Sequence, residues 1–423
     1  MVSNRESLQA WLRLSLTPGV GNITARALLK AFGLPELIFQ KSASELQAIV
    51  SPAASHQLCL EPVGLEDALN TTWEWLQRPA PRHASATLHK RLLTLADTDY
   101  PSSLMLTPDP PCLLYVMGQT QHLHLLSPAA FKAPLAVAVV GSRNPTPQGR
   151  INAHEFASSL AQAGLTVVSG LALGVDTEAH RGALQGGTLA NPLRTVAVVG
   201  TGLDRVYPHQ NHALALSIAA HGLLISEYPL NTPPITSNFP KRNRLIAGLS
   251  QGCLVVEAAT RSGSLITAKQ ALDMGKEVFA IPGSIHTTVS KGCHDLIKQG
   301  AKLVDCAQDI LEELKDLPAM AQASAETQIA TNSDGAQIEV EIEIEFSLEA
   351  KSGQSLKVLD HLGQDPVGLD ELQIRSGLPT AQLQAELFQL ELNGALGRLP
   401  GGMYQKLKRP LPRHTHNAPS HPV

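Results

Sequence analysis

Three glycine-containing junctions in the middle of the chain combine the residue types that bind phosphate. They are Gly141-Ser142-Arg143, Ser169-Gly170 and Gly200-Thr201-Gly202, and each follows a short apolar run. Glycine lets a phosphate approach the backbone, N–H and hydroxyl groups donate hydrogen bonds to its oxygens, and an arginine adds positive charge. The pattern predicts a phosphate-binding face built from all three junctions.

A dense group of cations lies further along, in Asn238-Phe239-Pro240-Lys241-Arg242-Asn243-Arg244. Proline is typical of a helix start, so Lys241, Arg242 and Arg244 would make a strongly positive helix N-terminus able to bind several phosphates. The alternative is a solvated charged face without a ligand. Ser262-Gly263-Ser264 precedes a further helical stretch containing Lys269, which predicts a second anion nest.

Three titratable side chains leave catalysis open as an alternative. Glu257 ends an apolar run and could act as an acid or base, or form an ion pair with a neighbouring arginine. Asp176 and His180 are four residues apart, which suits a metal pair or a proton relay, although Asp176 more simply caps its helix. No third ligand and no Gly-x-Ser-x-Gly elbow accompany them, so we expect no metal and no catalytic residue.

The glycine junctions do not match the two common nucleotide fingerprints. A dinucleotide site needs a third glycine, which the segment from Gly200 to Arg205 lacks, and Tyr207-Pro208 delays the following helix. A Walker pattern for ATP is also missing. The sequence therefore predicts no cofactor.

The elements that must position these residues alternate along the chain. Short apolar runs at 135–140, 165–169, 195–199, 223–226, 253–256, 277–281 and 302–305 are separated by helical stretches. This alternation predicts right-handed crossovers and a mostly parallel sheet covered on both faces. The expected fold is α/β, an extended Rossmann-like doubly wound sheet with an N-terminal helical module and a C-terminal winged helix.

The predicted domains follow from changes in pattern. Residues 1–90 form a helical module of the SAM or helix-hairpin-helix type, and the helical pattern continues to about residue 126. Residues 91–310 form the Rossmann-like domain, 311–353 an acidic flexible linker, 354–408 the winged helix and 409–423 a disordered tail. The turn Thr17-Pro18-Gly19-Val20-Gly21-Asn22 suits either a phosphate-binding hairpin or a simple tight turn. The presumed recognition helix, 380–393, has acidic but no basic residues, which favours protein contacts over duplex DNA.

Composition does not exclude a nucleic-acid partner. The chain has 423 residues, 43% hydrophobic and 17% charged, with a net charge of −4. Eleven acidic and two basic side chains lie in residues 309–351, so the remainder is positive. The start lacks the apolar core of a signal peptide, no apolar run is long enough to span a bilayer, and the five cysteines are scattered. We expect a cytoplasmic protein with reduced thiols.

These segments together resemble the DNA-processing protein A family, also called Smf or DprA. The resemblance covers residues 92–308 and includes the three glycine junctions, Ser226-Glu227-Tyr228-Pro229, the basic segment, the stretch from Glu257 to Lys269, and Ala280-Ile281-Pro282-Gly283. It implies a non-enzymatic protein that binds and protects single-stranded DNA during natural transformation, loads the RecA recombinase, and works as a homodimer or larger assembly.

The combined nucleic-acid contacts expected from the residues and the resemblance form one set. They are Gly141, Ser142, Arg143, Ser169, Gly170, Gly200, Thr201, Gly202, His209, Lys241, Arg242, Arg244, Ser262, Gly263, Ser264 and Lys269. Two positions depart from the family pattern, because Gln148 stands where a Tyr is usual and His209 where a basic residue is frequent. His209 would make binding sensitive to pH. Tyr207, Tyr228 and Phe239 are either base-stacking residues or buried.

An enzyme remains the alternative. The central domain is also similar to nucleotide 5′-monophosphate phosphoribohydrolases, which carry a Pro-Gly-Gly-x-Gly-Thr loop before a catalytic glutamate. Here Pro282-Gly283 is followed by Ser284-Ile285-His286, so that loop is missing.

Overall fold

The structure, a computed structural model, describes residues 4–80, 82–83, 86–118, 135–188, 193–316, 367–376, 378, 383, 387, 390, 395–399 and 403–406. The chain divides into two compact units, which we describe separately. One comprises Met1–Pro145 and Asn152–Leu314, and the other comprises Thr146–Ile151 and Lys315–Val423.

The chain begins with a bundle of short helices. They are α1 (Arg5–Leu16), α2 (Asn22–Phe32), α3 (Pro35–Ile38), α4 (Ala43–Leu46), α5 (Pro52–Cys59) and α6 (Leu65–Gln77). Apolar residues on one side of α1, among them Leu8 and Leu12, are fully buried. Side-chain caps define the starts: Asn4 accepts a hydrogen bond from the Ser7 N–H, and Ser42 and Glu45 form a capping box.

Strands appear earlier than the sequence predicts. After the short pair β1 (Arg82–His83) and β2 (Ala86–Thr87) come β3 (His89–Thr94), helix α7 (Ser102–Met105) and β4 (Leu113–Gly118). The expectation of a helical pattern up to residue 126 is therefore wrong. Every residue of β4 is buried, so it lacks the apolar–polar alternation by which a strand is recognised from sequence.

The central region alternates strictly between strands and helices. In chain order these are β5 (Ala136–Val140), α8 (Pro147–Gln162), β6 (Thr166–Ser169), α9 (Val175–Gly186), β7 (Thr195–Val198), α10 (His212–His221), β8 (Leu223–Ser226), α11 (Asn238–Leu249), β9 (Gly252–Val255), α12 (Ser264–Asp273), β10 (Glu277–Ala280), α13 (Lys291–Lys298), β11 (Lys302–Leu303) and α14 (Ala307–Asp316).

One sheet organises this unit. In the described part of the chain nine strands pair in the order β11-β10-β9-β5-β6-β7-β8-β4-β3. The strands from β5 to β11 run parallel, while β4 pairs antiparallel with β8 and with β3. The predicted Rossmann-like, mostly parallel sheet is confirmed.

The strand order creates a switch point between β5 and β9. The chain proceeds outward from β5 through β6 and β7 to β8, then returns to place β9 on the other side of β5. Ligands of doubly wound sheets bind at such a point, outside the carboxyl ends of the two strands. The segments that begin with Gly141 and Glu257 lie there.

The second unit contains a small antiparallel sheet. Strands β12 (Val367–Gly368), β13 (Leu396–Leu399) and β14 (Met403–Lys406) pair in the order β12-β14-β13, and α15 (Leu369–Ser376) follows β12. Leu383, Leu387 and Leu390 are helical and buried, at the spacing of one helix face. The sheet and helices match the predicted winged helix. Residues 354–366 of the predicted winged helix, most of the acidic linker and the predicted tail lie outside the described residues. Of the helices described, none is long and apolar enough to cross a membrane.

Candidate nucleic-acid interface

Arg143 is exposed immediately beyond β5, at the switch point. The backbone beneath it is fixed, because the Ser142 N–H donates to the Glu257 carbonyl at 2.7 Å and the Ser142 carbonyl accepts from the Val175 N–H at 3.1 Å. The arginine side chain extends over Phe239, with 5.6 Å between the guanidinium carbon and the ring centroid. A cation in this position is both fixed in place and open to a phosphate.

Phe239 links Arg143 to a second ring. Its centroid lies 5.6 Å from that of Tyr207, with 35° between the planes, and Tyr207 is 46% exposed. A methyl group built at Gly200 would lie 3.0 Å from Cδ1 of Phe239, so Gly200 allows the ring to approach the strand end. We call Arg143, Phe239 and Tyr207 the outer row. The residue types alone leave both rings open between base stacking and burial. In the structure the two rings lie side by side, with Tyr207 exposed and Phe239 half-buried.

Lys241 is the outward cation of the basic segment. It is exposed two residues beyond Phe239, and it forms no ion pair with any residue that the structure describes. Its position therefore agrees with the predicted phosphate contact.

Arg242 faces the interior instead. It is 3% exposed, and Nη1 donates to the Gly170 carbonyl at 2.8 Å and also to the Val198 carbonyl. Burial lowers the pKa of Arg242 to about 10, which still leaves it charged at neutral pH. Arg242 is thus not the exposed cation that a phosphate contact requires, because neighbouring helix residues point about 100° apart, so that Lys241 faces solvent and Arg242 faces the sheet.

Arg244 is also committed within the protein. Its Nε pairs with Asp109 Oδ2 at 3.0 Å, Nη1 donates to the Asp109 carbonyl at 3.0 Å, and Nη2 pairs with Glu227. Burial raises the pKa of Glu227, and Arg244 opposes that rise. The ion pairs fix α11 against the segment before β4, so Arg244 does not present the free cation that the sequence predicts.

The junction at Ser169-Gly170 holds a carboxylate of the protein itself. Asp176 Oδ2 accepts from the Gly170 N–H at 3.1 Å and from the Ala172 N–H at 3.3 Å. Ser169 is fully buried and donates through Oγ to the Val139 carbonyl at 2.7 Å. The predicted contacts of Ser169 and Gly170 with phosphate are therefore not available. Asp176 is not the helix cap either, because Gly174 occupies that position in α9.

The backbone groups of the junction Gly200-Thr201-Gly202 are likewise bonded within the protein. The Gly202 N–H donates to the Thr232 carbonyl at 3.2 Å, and the Thr201 carbonyl accepts from Ser226 Oγ at 2.6 Å. Thr201 is 1% exposed, so its hydroxyl does not reach solvent. The Gly202 amide thus has a partner within the protein, whereas the buried Thr201 hydroxyl has none among the described residues. The phosphate contacts of Thr201 and Gly202 stay predictions. Gly200 is buried, and its part in the site is to admit Phe239.

The junction beyond β9 remains open. Gly263 is exposed at the start of α12, and a methyl built there would meet nothing within 4 Å. Ser262 Oγ and Ser264 Oγ lie 2.7 Å apart, and Asn243 Nδ2 donates to the Gly263 carbonyl at 3.3 Å, which ties this loop to α11. Lys269 is exposed on the same helix. Arg261, which the predicted set omits, is exposed just before the loop.

His209 is exposed and lies two residues along the chain from Tyr207 of the outer row. It begins a 3₁₀ turn that follows the cis Tyr207–Pro208 peptide, and its ring stacks on His212 with 6.2 Å between centroids. His209 is therefore accessible to solvent, and its contact with nucleic acid stays a prediction.

His180 does not share a ligand with Asp176. It is fully buried, and its Nδ1 lies 2.7 Å from Thr195 Oγ1, which itself donates to the Val167 carbonyl. The Nδ1–H is therefore the donor to Thr195. Burial lowers the pKa of His180 to about 3. A neutral histidine bonded to the sheet and an aspartate bonded to a loop do not make the metal pair that their spacing allows.

Comparison with known proteins agrees with this architecture. Residues 91–315 match the family model described as DNA recombination-mediator protein A, and residues 345–402 match the DprA winged helix domain. Protein Smf of Synechocystis is 32% identical over 94% of this chain and 98% of its own length. The DNA processing protein DprA of Streptococcus pneumoniae is 46% identical over 52% of this chain and 73% of its own length.

The solved X-ray structure of DNA processing protein A from Streptococcus pneumoniae is also similar. It superposes with a TM-score of 0.57 at 35% identity, covering 74% of this chain and 99% of that one. The family model spans more than half of the chain, and the Smf relative matches nearly all of it. The chain belongs to the DNA recombination-mediator protein A family, whose members are named DprA or Smf.

Proposed function

We propose that this protein binds single-stranded DNA along the carboxyl edge of its sheet, through the outer row and the exposed cations beside it. The observation that carries the proposal is the contact of Arg143 with Phe239 and of Phe239 with Tyr207. Cations interleaved with accessible rings are typical of single-strand binding, since every unpaired base offers a face for stacking while the backbone follows positive charge.

Side chains rather than amide nests supply most of the proposed phosphate contacts. Arg143 and Lys241 are exposed next to Phe239, and the loop at Ser262-Gly263-Ser264 with Lys269 lies across the switch point. The amides of Gly170 and Gly202 already have partners in the protein. Binding is thus dominated by the backbone and tolerant of base sequence. A base-paired duplex presents phosphates to the same cations, but its bases are not free to stack on the rings.

The names of the relatives support a proposal for the cellular role of this binding. One of the reported relatives and the solved structure are named for DNA processing, and the family model for mediating recombination. We infer that this cytoplasmic protein protects incoming strands in natural transformation and loads RecA onto them as a homodimer, acting by binding rather than catalysis. Incubation with AMP or CMP is expected to release no free base.

Fluorescence anisotropy with single-stranded and duplex oligonucleotides of equal length tests the binding proposal. We expect tighter binding of the single strand at every salt concentration, and weaker binding of both as salt rises. Equal or tighter binding of the duplex would contradict it. A strand coated with single-strand-binding protein tests RecA loading, where we expect this protein to accelerate the DNA-dependent ATPase of RecA.

A further inference from the structure

The junction between β6 and α9 has the geometry of an oxyanion site, with a carboxylate in it. The N–H groups of Gly170 and Ala172 converge on one oxygen of Asp176, at 3.1 and 3.3 Å. The first turn of α9 begins directly afterwards. Converging amides at a strand-to-helix junction are the arrangement by which this class of fold binds a phosphate.

A buried cation completes the site. Arg242 donates to the carbonyl of the same Gly170 whose N–H is bonded to Asp176. A methyl built on Gly170 would lie 2.7 Å from Asp176 Oδ2 and 2.6 Å from Arg242 Nη2, so the two charged groups flank this one residue. A buried guanidinium needs a nearby anion, because it has lost its hydration. Arg242 Nε is buried and has no hydrogen-bond partner among the described residues.

We propose that Asp176 is an internal anion that occupies the phosphate position of this junction and so excludes free phosphates and nucleotides from it. The Asp176 carboxylate accepts the hydrogen bonds of the two amides and lies beside the charge of Arg242, as a bound phosphate would. A second anion would have to enter beside it against like-charge repulsion. Strand phosphates are therefore directed to the outer row.

The proposal has a second part, which rests on the proposed function: by filling the junction, Asp176 makes the protein select strands over single nucleotides. Open glycine junctions would bind the phosphate of any nucleotide, and mononucleotides would then compete with strands. With the junction filled, binding depends on several exposed cations and rings spaced along a strand, which one nucleotide cannot engage together.

Chemical rescue of Asp176→Ala tests, without any DNA, whether Asp176 occupies a phosphate position. Thermal unfolding is measured for wild type and variant in chloride, formate and phosphate at equal ionic strength and pH. Formate restores the missing carboxylate, and phosphate tests the site as an oxyanion position. We expect about 20 mM phosphate to raise the melting temperature of Asp176→Ala by about 4 °C more than that of wild type.

Two further variants make the result specific. Glu178→Ala removes a carboxylate from the same turn, one that pairs with Arg181, and should show only the wild-type response to phosphate. Asp176→Ala combined with Arg242→Gln should lose the extra response, because the cation that holds the anion is gone. If Asp176→Ala is insoluble in chloride, the yield of soluble protein on refolding in phosphate replaces the melting temperature.

Each outcome of the melting experiments either supports or overturns the proposed role of Asp176. Rescue by formate but not phosphate, rescue by neither, or an equal phosphate effect in Glu178→Ala would each overturn the proposal. To test whether Asp176 excludes mononucleotides, equilibrium dialysis with thymidine monophosphate should show binding to Asp176→Ala and none to wild type. Wild-type protein that binds no single strand would refute the proposed function instead, and the melting data would still decide the role of Asp176.

Discussion

Arg242 Nη1 donates to the carbonyl of Gly170 at 2.8 Å, across the end of the sheet. This bond divides the basic segment of α11 into two functions. Lys241 is exposed, whereas Arg242 and Arg244 fix the helix to the strand ends and to Asp109 and Glu227. The cations that look equivalent in the sequence are thus one surface charge and two internal ones.

Arg143→Ala and Lys241→Ala should each weaken binding of single strands of any sequence. Each removes about one phosphate contact, so the slope of log K against log salt should fall by about 0.7 in magnitude. Anisotropy titrations across salt measure this slope. Arg78→Ala is the control, since Arg78 is exposed directly after the end of α6 and pairs with Glu74. An unchanged slope in Arg143→Ala would remove that residue from the interface.

Tyr207→Leu should cost about 1–3 kcal/mol of binding free energy if one base stacks on the ring. Tyr207→Phe keeps the ring and should retain wild-type affinity. The salt slope should stay constant in both variants, because neither changes a phosphate contact. Quenching of tyrosine fluorescence by an oligonucleotide provides an independent reading, and equal affinity of the Leu and Phe variants would argue against stacking.

Gly170→Ala should destabilise the fold. The new methyl would lie within 2.7 Å of both Arg242 nitrogens and of the Asp176 carboxylate, and forcing atoms into a packed interior costs about 1–3 kcal/mol. Urea unfolding measures the loss. Gly263→Ala is the matched control, because that methyl meets nothing within 4 Å, and it should leave the free energy of unfolding almost unchanged.

His180 should make the protein sensitive to acid. Its pKa falls from 6.5 to about 3 in the fold because burial disfavours the charged ring. The unfolded chain therefore binds the proton more readily, and stability present above pH 6.5 is lost as the pH falls toward 3, at up to about 1.4 kcal/mol per pH unit. His180→Asn should flatten the unfolding free energy over this range. A pH profile identical to wild type would contradict the assignment.

The winged helix should contribute little to strand binding. Its predicted recognition helix carries no basic residue, so a chain ending at residue 316 should bind a single-stranded oligonucleotide with nearly the affinity of the full chain. The same anisotropy assay measures both proteins. A loss of tenfold or more in the shortened chain would show that the second unit contacts DNA.

Local pattern was sufficient for much of the architecture. Apolar runs alternating with helical stretches predict the parallel strands β5 to β11, and the change of pattern after the acidic stretch predicts the winged helix of the second unit. Strand β4 was not predicted, because burial on both faces removes the alternation of apolar and polar residues that distinguishes a strand from a buried helix.

By itself, the sequence determined the fold class, the edge of the sheet to which the proposed site is assigned, and the residue types collected there. Only the tertiary structure decided which of those residues are free to bind. Backbone amides and guanidinium groups must find partners when they are buried. Asp176 serves Gly170 and the charge of Arg242, while Asp109 and Glu227 serve Arg244. Arg242 and Gly170, like Arg244 and Asp109, lie far apart along the chain, so no local pattern shows that two of the three cations are already occupied.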